Sequence, residues 1–464
     1  MRGRPWIVPA TWMLVLGMTA CGADGGSADG ADVRDEVDAE SESGADGEGD
    51  GSSDGEVGRE TDDAAEAEAG EPCADPAAWR DCFAARATDP TICGTAGEAE
   101  LRAAAGRGFE QRAFPVARGG DVWFAWRGDA ATVGVAGDFN GWVPEELARL
   151  CATDLFVLRR PLAAGFYEYK LVVDGAWTLD PANRGFAFDD YEGNPERKNS
   201  VVDLPGSGRG HLEWWPDVAS PELGNTRDVF VYLPPDYDPE GAERYPGLYL
   251  HDGQNVFDDD SCCFGHGGWE VNLAIDRLAA EGAIEPPIVV GVANTSDRMS
   301  EYTQCAEFSG TGDAYGRFLV ETLLPRIEAY YRIDPARRAL AGSSLGGNIS
   351  FVVAQAHPAA FRGGLGSMSG AFWVCAAEGS SVPQAIRGSG FPLAPPLPIY
   401  LDHGGFVADN SDGAADTVAV RDALLARGWT LGSDLFYVHE EGAEHDEAAW
   451  RRRVPGLLEA LFPP

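Results

Sequence analysis

From residue 211 onward, short apolar runs alternate with longer stretches in which apolar residues recur every three or four positions. The first pattern is typical of buried strands and the second of helices with one face against a core. Such alternation favours an α/β fold, a mostly parallel sheet covered by helices on both faces. The predicted strands are 228–233, 247–251, 287–292, 338–341, 397–402 and 435–438, and the predicted helices are 313–331, 347–357, 414–427 and 447–461.

An earlier stretch, 116–204, has a different pattern. Its short apolar and aromatic runs are divided by Gly, Asn, Asp and Pro, which is typical of strands joined by tight turns. About 90 residues of this kind predict an all-β, immunoglobulin-like sandwich. The preceding segment, 73–115, contains cysteines, and its pattern leaves its structure open. The predicted strands are 121–126, 132–136, 155–160 and 166–174.

Acidic residues exceed basic ones in the chain as a whole, with 75 Asp and Glu against 35 Lys and Arg, a net charge of -40. A nucleic acid partner is excluded, because a polyanion would be repelled. The excess is strongest in 22–72, where 19 acidic residues face Arg34 and Arg59 and large apolar side chains are almost absent. Such a segment buries too little surface to fold. It is predicted to be a disordered, self-repelling tether.

Residues 1–21 are predicted to be an export signal. Arg2 and Arg4 precede an apolar stretch, 6–18, that is too short to span a bilayer as a helix. It ends in Met-Thr-Ala-Cys, which resembles the lipobox of bacterial lipoproteins. The resemblance implies that Cys21 carries the lipid, whereas an ordinary signal peptide with a chance Cys is the alternative. We therefore expect an exported protein, anchored through Cys21 to the bacterial cell envelope at the outer membrane or cell surface.

The remaining eight cysteines are an even number, which suggests up to four disulfides in an exported chain, with the pairing left open. Zinc is disfavoured, because no CxxC pair has a matching partner. The acidic run 258–260 could bind calcium, but a solvated loop is favoured. No metal and no cofactor are predicted.

The segment 342–346 reads Gly-Ser-Ser-Leu-Gly and fits the G-x-S-x-G pattern of a nucleophile elbow. A predicted strand leads directly into it and a predicted helix begins at Gly347. This order of strand, sharp turn and helix is the setting that an elbow requires. The pattern therefore predicts Ser344 as the nucleophile, and Ser343 does not fit the spacing.

In this type of fold the acid and then the histidine follow the serine along the chain. His445 follows the last predicted strand and precedes the final helix, which is the position expected for the base. The acid should lie after the strand 397–402, where the loop offers Asp409, Asp412 and Asp416. Asp412 is preferred because Asp416 is predicted to begin the next helix, and Asp409 is the next choice.

An oxyanion hole needs two backbone N–H groups. One is expected from Leu345, the residue after the nucleophile. The other is expected from the loop 251–255 (HDGQN), with Gln254 as the choice and Gly253 as the alternative.

Together these stretches resemble the esterase D-like family, which includes enterochelin esterases, feruloyl and acetyl-xylan esterases and mycolyltransferases. The resemblance implies an α/β-hydrolase domain at 211–464 that hydrolyses carboxylic esters. The acid loop here is longer and richer in Asp than the family's, so the acid stays open among three residues. The resemblance is carried by 231–237 (VYLPPDY), the HDGQN loop, 290–294 with Arg298, Glu301 and Tyr302, the elbow, and 442–446 (GAEHD) with Trp450.

Within the β-rich region, 135–142 (VAGDFNGW) and 167–177 (YEYKLVVDGAW) resemble the early-set sandwich of glycogen-branching enzymes and the glycogen-binding module of AMP-activated kinase. Binding members of that family hold α-glucan with two Trp, a Lys and an Asn. The matching residues here are Trp142, Lys170, Trp177 and Asn199. The alternative is a domain that only packs against its neighbour.

The sequence therefore predicts a serine esterase that hydrolyses acetyl or feruloyl esters of a polysaccharide. A siderophore esterase resembling enterochelin hydrolases is one alternative, although an acidic domain suits an anionic ferric substrate poorly. A glycan-binding surface protein with a vestigial hydrolase domain is another. The acyl group, the alcohol and the oligomeric state are not determined by the sequence.

Overall fold

The computed structural model describes residue 73, residues 75–189 and residues 191–464, so the predicted signal peptide with Cys21 and the acidic tether lie outside the described residues. The described chain begins with two helices, α1 (Trp79–Ala87) and α2 (Ala96–Glu110). They pack against each other around buried side chains that include Phe83 and Phe114. Part of the segment whose structure the sequence left open is therefore a helical pair.

The β-rich region forms two sheets. Strands β1, β2, β6 and β5 pair in that order in one sheet, and β9, β10, β7, β3 and β4 follow one another in the second, with β8 beside β7. These strands are β1 (Val116–Arg118), β2 (Asp121–Arg127), β3 (Val133–Gly137), β4 (Glu145–Glu146), β5 (Ala148–Arg149), β6 (Leu155–Pro161), β7 (Gly165–Val173), β8 (Ala176–Thr178), β9 (Gly185–Phe188) and β10 (Lys198–Leu204).

Side chains from the two sheets meet in one buried core. Phe124 and Phe156 come from the first sheet, and Val135, Tyr169 and Leu171 come from the second. Alternate residues of a strand point to opposite faces, so each strand contributes every second side chain to this core. The region is β-rich, as the sequence predicts, and its immunoglobulin-like class stays a prediction.

The second half alternates strands with helices. Among the described residues, no helix combines the length and apolar character that crossing a membrane needs. The strands are β11 (His211–Ser220), β12 (Asn225–Leu233), β13 (Tyr245–His251), β14 (Ile288–Val292), β15 (Ile333–Ser343), β16 (Gly364–Met368), β17 (Ile399–His403) and β18 (Leu435–His439). The helices are α3 (Val271–Ala280), α4 (Arg298–Glu301), α5 (Gly312–Arg317), α6 (Leu324–Glu328), α7 (Leu345–Ala356), α8 (Val382–Arg387), α9 (Ala414–Leu425) and α10 (Glu447–Leu461), with a π-helical turn at Phe318–Leu323 between α5 and α6.

The sheet is mixed, with a parallel part of six strands, as predicted, and an antiparallel part that the sequence did not predict. Strands β14, β13, β15, β16, β17 and β18 are parallel neighbours in that order. In contrast, β12 pairs antiparallel with both β14 and β11. The short turn between Ser220 and Asn225 allows only an antiparallel pairing of β11 with β12. Strand β11 then pairs antiparallel with β9, so this sheet continues into the second sheet of the β-rich region.

Helices cover both faces of this sheet. One buried cluster contains Ile349 of α7 and Leu424 of α9, together with the helices α5 and α6. The opposite cluster contains Ile275 of α3 and Leu457 of α10. This layering places the loops that follow the parallel strands at one edge of the sheet, between the two helical layers.

The prediction of disulfides is confirmed, because all eight cysteines of the described chain are paired. Disulfide bonds of this number are typical of exported proteins. The pairs are Cys73–Cys82, Cys93–Cys151, the adjacent Cys262–Cys263, and Cys305–Cys375.

Candidate active site

Ser344 lies in a sharp turn between β15 and α7. Its backbone has φ 54° and ψ -120°, a combination that is unfavourable for a residue with a side chain and that is often retained at functional sites. The turn is close-packed, since a Cβ on Gly342 would lie 2.8 Å from the carbonyl carbon of Gly346. Ser344 is partly exposed, whereas Ser343 is 2% exposed within β15. The turn therefore presents Ser344, and not Ser343, to the solvent.

Strand β16 and the loop after it hold this turn in place. The Ser344 N–H donates to the Met368 carbonyl at 2.9 Å, and the Ala371 N–H donates to the Ser344 carbonyl at 2.8 Å. Both partners come from the end of β16 and the loop after it. The backbone of Ser344 is therefore held in place on both sides of its side chain.

His445 lies beside this serine in the loop between β18 and α10. Its Nε2 is 3.0 Å from Ser344 Oγ, and its Nδ1 is 2.5 Å from Asp412 Oδ1. The edge-on ring of Trp450 lies 5.0 Å from the imidazole ring. With Asp412 ionised, Nδ1 carries the proton and Nε2 is free to accept the proton of Ser344.

Asp412 is held more tightly than a loop carboxylate usually is. Its side chain is 2% exposed, and Oδ2 accepts hydrogen bonds from Ser369 Oγ at 2.6 Å and from the Gly404 N–H. Burial raises the pKa of Asp412, but the hydrogen bonds from His445, Ser369 and Gly404 outweigh it and hold the pKa below its usual value. Asp412 therefore stays ionised at neutral pH.

The two other candidate acids do not contact His445. Asp409 is exposed and accepts from the backbone and hydroxyl of Ser411, and Asp416 accepts from the Asn410 side chain. Of the three carboxylates that the sequence left open, the structure brings only Asp412 to the histidine.

The predicted oxyanion residues follow neighbouring strands. Leu345 begins α7, and Gln254 lies in the turn Gly253–Asn255 after β13, which is the parallel neighbour of β15. The side-chain oxygen of Gln254 accepts from the Asn294 N–H at 3.2 Å, which fixes this turn. The backbone N–H groups of these two loops therefore belong to the same edge of the sheet as Ser344.

A buried ion pair supports the same turn. The guanidinium of Arg298 donates to the Asp252 carboxylate from Nε at 2.6 Å and from Nη2 at 2.7 Å. The same carboxylate accepts a hydrogen bond from Asn294 Nδ2 at 2.6 Å. Burial raises the pKa of Asp252, but the charge and hydrogen bonds of Arg298 and the hydrogen bond from Asn294 together hold the pKa below its usual value. The backbone of Asp252 is left-handed at φ 59°, so these contacts set the direction in which the chain enters the turn.

The four predicted glycan-binding residues share one face of the second β-rich sheet. Trp177 lies opposite Val172, two residues along β7 from Lys170, and the Trp142 and Trp177 rings stack with centroids 6.4 Å apart and an interplanar angle of 27°. Trp177 is 48% exposed and Trp142 is partly exposed. The aromatic pair is therefore accessible to a ligand.

The two polar members of this set are already paired. Lys170 is buried and its ammonium contacts Glu196, and Asn199 is buried and donates to Glu168 at 2.9 Å. Both polar side chains therefore already have partners within the domain.

In the part of the chain that the structure describes, no group of three or more His, Cys, Asp and Glu side chains could hold a metal ion.

Comparison with protein families gives two matches. The family described as "Putative esterase" matches residues 220–461, just over half of the chain. The chain belongs to this esterase family. A second model, the glycogen recognition site of AMP-activated protein kinase, matches residues 121–196. Both predicted resemblances are confirmed, and the first agrees with the prediction of a carboxylic ester hydrolase.

Curated relatives match parts of the chain. The protein YbbA of Bacillus subtilis (strain 168) is 27% identical over 163 residues, which cover 33% of this chain and 59% of YbbA. The subunit beta-1 of 5'-AMP-activated protein kinase from Sus scrofa is 39% identical over 59 residues, 13% of this chain and 47% of that subunit. The chain thus spans less than two thirds of the length of these relatives.

Comparison with solved structures matches an enterobactin esterase from Shigella flexneri, at 18% identity and a TM-score of 0.40, covering 74% of this chain and 93% of that one. A ferulic acid esterase has 19% identity and a TM-score of 0.41, covering 55% of this chain and 98% of that one.

Within the esterase domain, Ser344, Asp412 and His445 lie close together and the sequence singled out all three. It did not identify Ser369 or Arg453, which contact Asp412, because neither belongs to a recognisable motif. The role of Arg453 can be recognised only in the structure, where the packing of α10 against β17 buries this arginine beside Asp402.

Proposed function

We propose that this protein is a serine esterase that hydrolyses carboxylic esters with Ser344, His445 and Asp412. The observation that supports it most is the unbroken line of contacts from Ser344 Oγ through His445 to Asp412, at 3.0 Å and 2.5 Å. Membership of the esterase family supports the same reaction class.

The reaction proceeds through an acyl-enzyme. Ser344 Oγ attacks the ester carbonyl while its proton passes to His445 Nε2, and the N–H groups of Leu345 and Gln254 stabilise the oxyanion. The C–O bond to the alcohol then breaks, and the alcohol leaves with the proton from His445. In the second half of the reaction, water attacks the carbonyl carbon of the acyl-enzyme while His445 takes its proton. The C–O bond to Ser344 then breaks, His445 returns the proton to Ser344 Oγ, and the carboxylic acid leaves.

We propose that the substrate is an acetyl or feruloyl ester of a polysaccharide. This proposal is supported by the match of 121–196 to a glycogen recognition domain and by the exposed ring pair of Trp142 and Trp177. The test compares kcat/KM for acetylated xylan, methyl ferulate, p-nitrophenyl acetate and a ferric catecholate triester. A preference for the triester would replace this substrate class by a siderophore.

The tryptophan pair gives a prediction of its own. Trp177→Ala should abolish the retardation of the protein in gels containing soluble α-glucan or xylan, because stacking on an exposed ring is the main contact available to a sugar. Activity on p-nitrophenyl acetate should stay within about twofold. Trp373→Ala is the matched control, since Trp373 is 51% exposed in the esterase domain. Equal migration of all proteins with and without glycan would contradict the prediction.

We also propose that the protein is exported and anchored through a lipid on Cys21. The pairing of eight cysteines as disulfides supports an oxidising compartment. Cys21→Ala should move the protein from the detergent phase to the aqueous phase in two-phase partitioning, because the acyl chains are its only predicted anchor. Equal partitioning of the unaltered protein and Cys21→Ala would contradict lipid attachment at Cys21.

A further inference from the structure

The second carboxylate oxygen of Asp412 faces a buried polar cluster that has no part in the reaction as described above. Ser369 follows β16 and is 0% exposed, Asp402 lies in β17 and is 0% exposed, and Arg453 lies in α10 and is 5% exposed. Charged side chains are rarely buried to this extent unless they are paired. Three elements of the esterase domain therefore converge behind one catalytic carboxylate.

The hydroxyl of Ser369 is saturated by its neighbours. Trp450 Nε1 lies 3.1 Å and Arg453 Nη2 lies 3.0 Å from Ser369 Oγ, and both nitrogens can only donate. A serine oxygen has two lone pairs and one proton, so these donors occupy both lone pairs. The proton is then directed to Asp412 Oδ2, which is 2.6 Å away.

The backbone of Ser369 is fixed for the same contact. Its φ of 48° is left-handed, which is unfavourable for a residue other than glycine. The N–H donates to the Asp402 carbonyl at 3.0 Å and lies 3.1 Å from Asp402 Oδ1. The surroundings therefore hold Ser369 in a conformation that it would not adopt alone.

Arg453 lies between two carboxylates, with Nη1 3.3 Å from Asp402 Oδ1 and 3.7 Å from Asp412 Oδ2. Burial raises the pKa of Asp402 to about 7, although Arg453 opposes this effect. Asp402 is therefore partly neutral near pH 7, and Arg453 remains as a counter-charge for Asp412.

We propose that Ser369 is a positioning residue that acts through Asp412, in the reaction assigned to this site under Proposed function. It fixes the Asp412 carboxylate so that Oδ1 faces His445, while Trp450 and Arg453 fix the direction of the serine proton. Asp412 needs this support because it lies in a loop and has a left-handed backbone at φ 54°.

The pH dependence of the reaction follows from this arrangement. The Asp412–His445 pair is faced by Arg453 from α10 and by Asp402 and His403 from β17, and Arg453 in turn approaches Glu440. Removal of the Ser369 hydroxyl leaves the Asp412 carboxylate with one hydrogen-bond donor fewer. The Asp412–His445 pair then binds a proton more tightly. The acid limb of the activity profile should therefore move to higher pH.

The experiment uses the full chain with p-nitrophenyl acetate. Ser369→Ala should lower kcat/KM by about 10- to 100-fold, the range expected for a lost hydrogen bond to a charged group. It should also move the acid limb of kcat/KM up by about one pH unit. Ser367→Ala is the matched control: Ser367 lies in β16, is 0% exposed, and its Oγ has no hydrogen-bond partner among the described residues.

A double-mutant cycle separates positioning from stability. If Ser369 acts through Asp412, Ser369→Ala should change the activity of the Asp412→Asn protein by less than about twofold. If Ser369→Ala folds poorly, Ser369→Gly replaces it in these measurements, because glycine tolerates the positive φ. Any of three results would overturn the proposal. The pH profile of Ser369→Ala could equal that of Ser367→Ala, or the activity losses of the two single variants could multiply in the double variant. The activity losses of Ser369→Ala and Ser369→Gly could also follow the unfolded fraction alone. An unaltered protein that hydrolyses no ester would instead overturn the proposed function.

Discussion

Ser344→Ala is expected to lower kcat for a short aryl ester by at least about a thousandfold, with little change in the thermal unfolding midpoint. The reason is that Ser344 Oγ is the hydroxyl that lies against His445 Nε2. Alanine keeps the backbone of the turn and removes only the attacking atom. The measurement is steady-state kinetics with p-nitrophenyl acetate at neutral pH.

Ser343→Ala is the control for this variant. Ser343 is the adjacent residue of the same motif, is buried in β15, and pairs with Met368 of β16. Its replacement should leave kcat within about threefold. Activity that survives in Ser344→Ala and is lost in Ser343→Ala would show that the wrong serine was assigned.

Asp412→Asn is expected to lower kcat by roughly a hundred- to ten-thousandfold, because an amide stabilises neither the correct imidazole tautomer nor the imidazolium. Asp409→Asn and Asp416→Asn should each stay within about twofold, since these side chains contact Ser411 and Asn410 rather than His445. The three variants have the same chemical change in one loop. If Asp409→Asn were the most damaging, the acid would have to be reassigned.

The pairing of Ser344 with His445 could be predicted because the signals for both residues are local. A strand that runs into a glycine-flanked serine and then into a helix predicts the turn at Ser344. The last strand and the last helix predict the position of His445. Both arguments need only the order of elements along the chain, and the structure places the two side chains 3.0 Å apart.

The acid could be narrowed to one loop but not to one residue. Asp412 reaches His445 because its backbone is left-handed and because Ser369 and the Gly404 N–H hold Oδ2. Asn410 and Gly413 are also left-handed, so the loop turns several times within a few residues. Such turns depend on tertiary contacts that no spacing rule contains.

The strand β11 was missed for a local reason. Pro216 lies in its middle, and proline cannot donate to a central ladder. The strand accommodates it with a shift in register between Trp215 and Val218, which is a β-bulge or a related irregularity. Its pairing with β9, which joins the two regions into one continuous sheet, links distant parts of the chain and leaves no pattern in either segment.

The arrangement of the four candidate glycan-binding residues was predicted in part. The motif places two tryptophans together, and their rings do stack. Lys170 contacts Glu196, which lies in the loop between β9 and β10, and Asn199 of β10 donates to Glu168 of the neighbouring strand β7. Both contacts depend on how β10 and the loop before it pair with β7, which the motif does not contain. The rings of Trp142 and Trp177, rather than the two polar side chains, are therefore the part of this face on which ligand binding is expected to depend.

Covalent trapping is the most direct test of the central claim that Ser344 is the nucleophile of an ester hydrolase. The purified full chain is treated with an alkyl fluorophosphonate, and its peptides are mapped by mass spectrometry. We predict a single phosphonyl adduct on Ser344, matched by loss of esterase activity, and much slower labelling in His445→Ala. An adduct on another residue, or undiminished ester hydrolysis by a protein fully labelled at Ser344, would contradict the account.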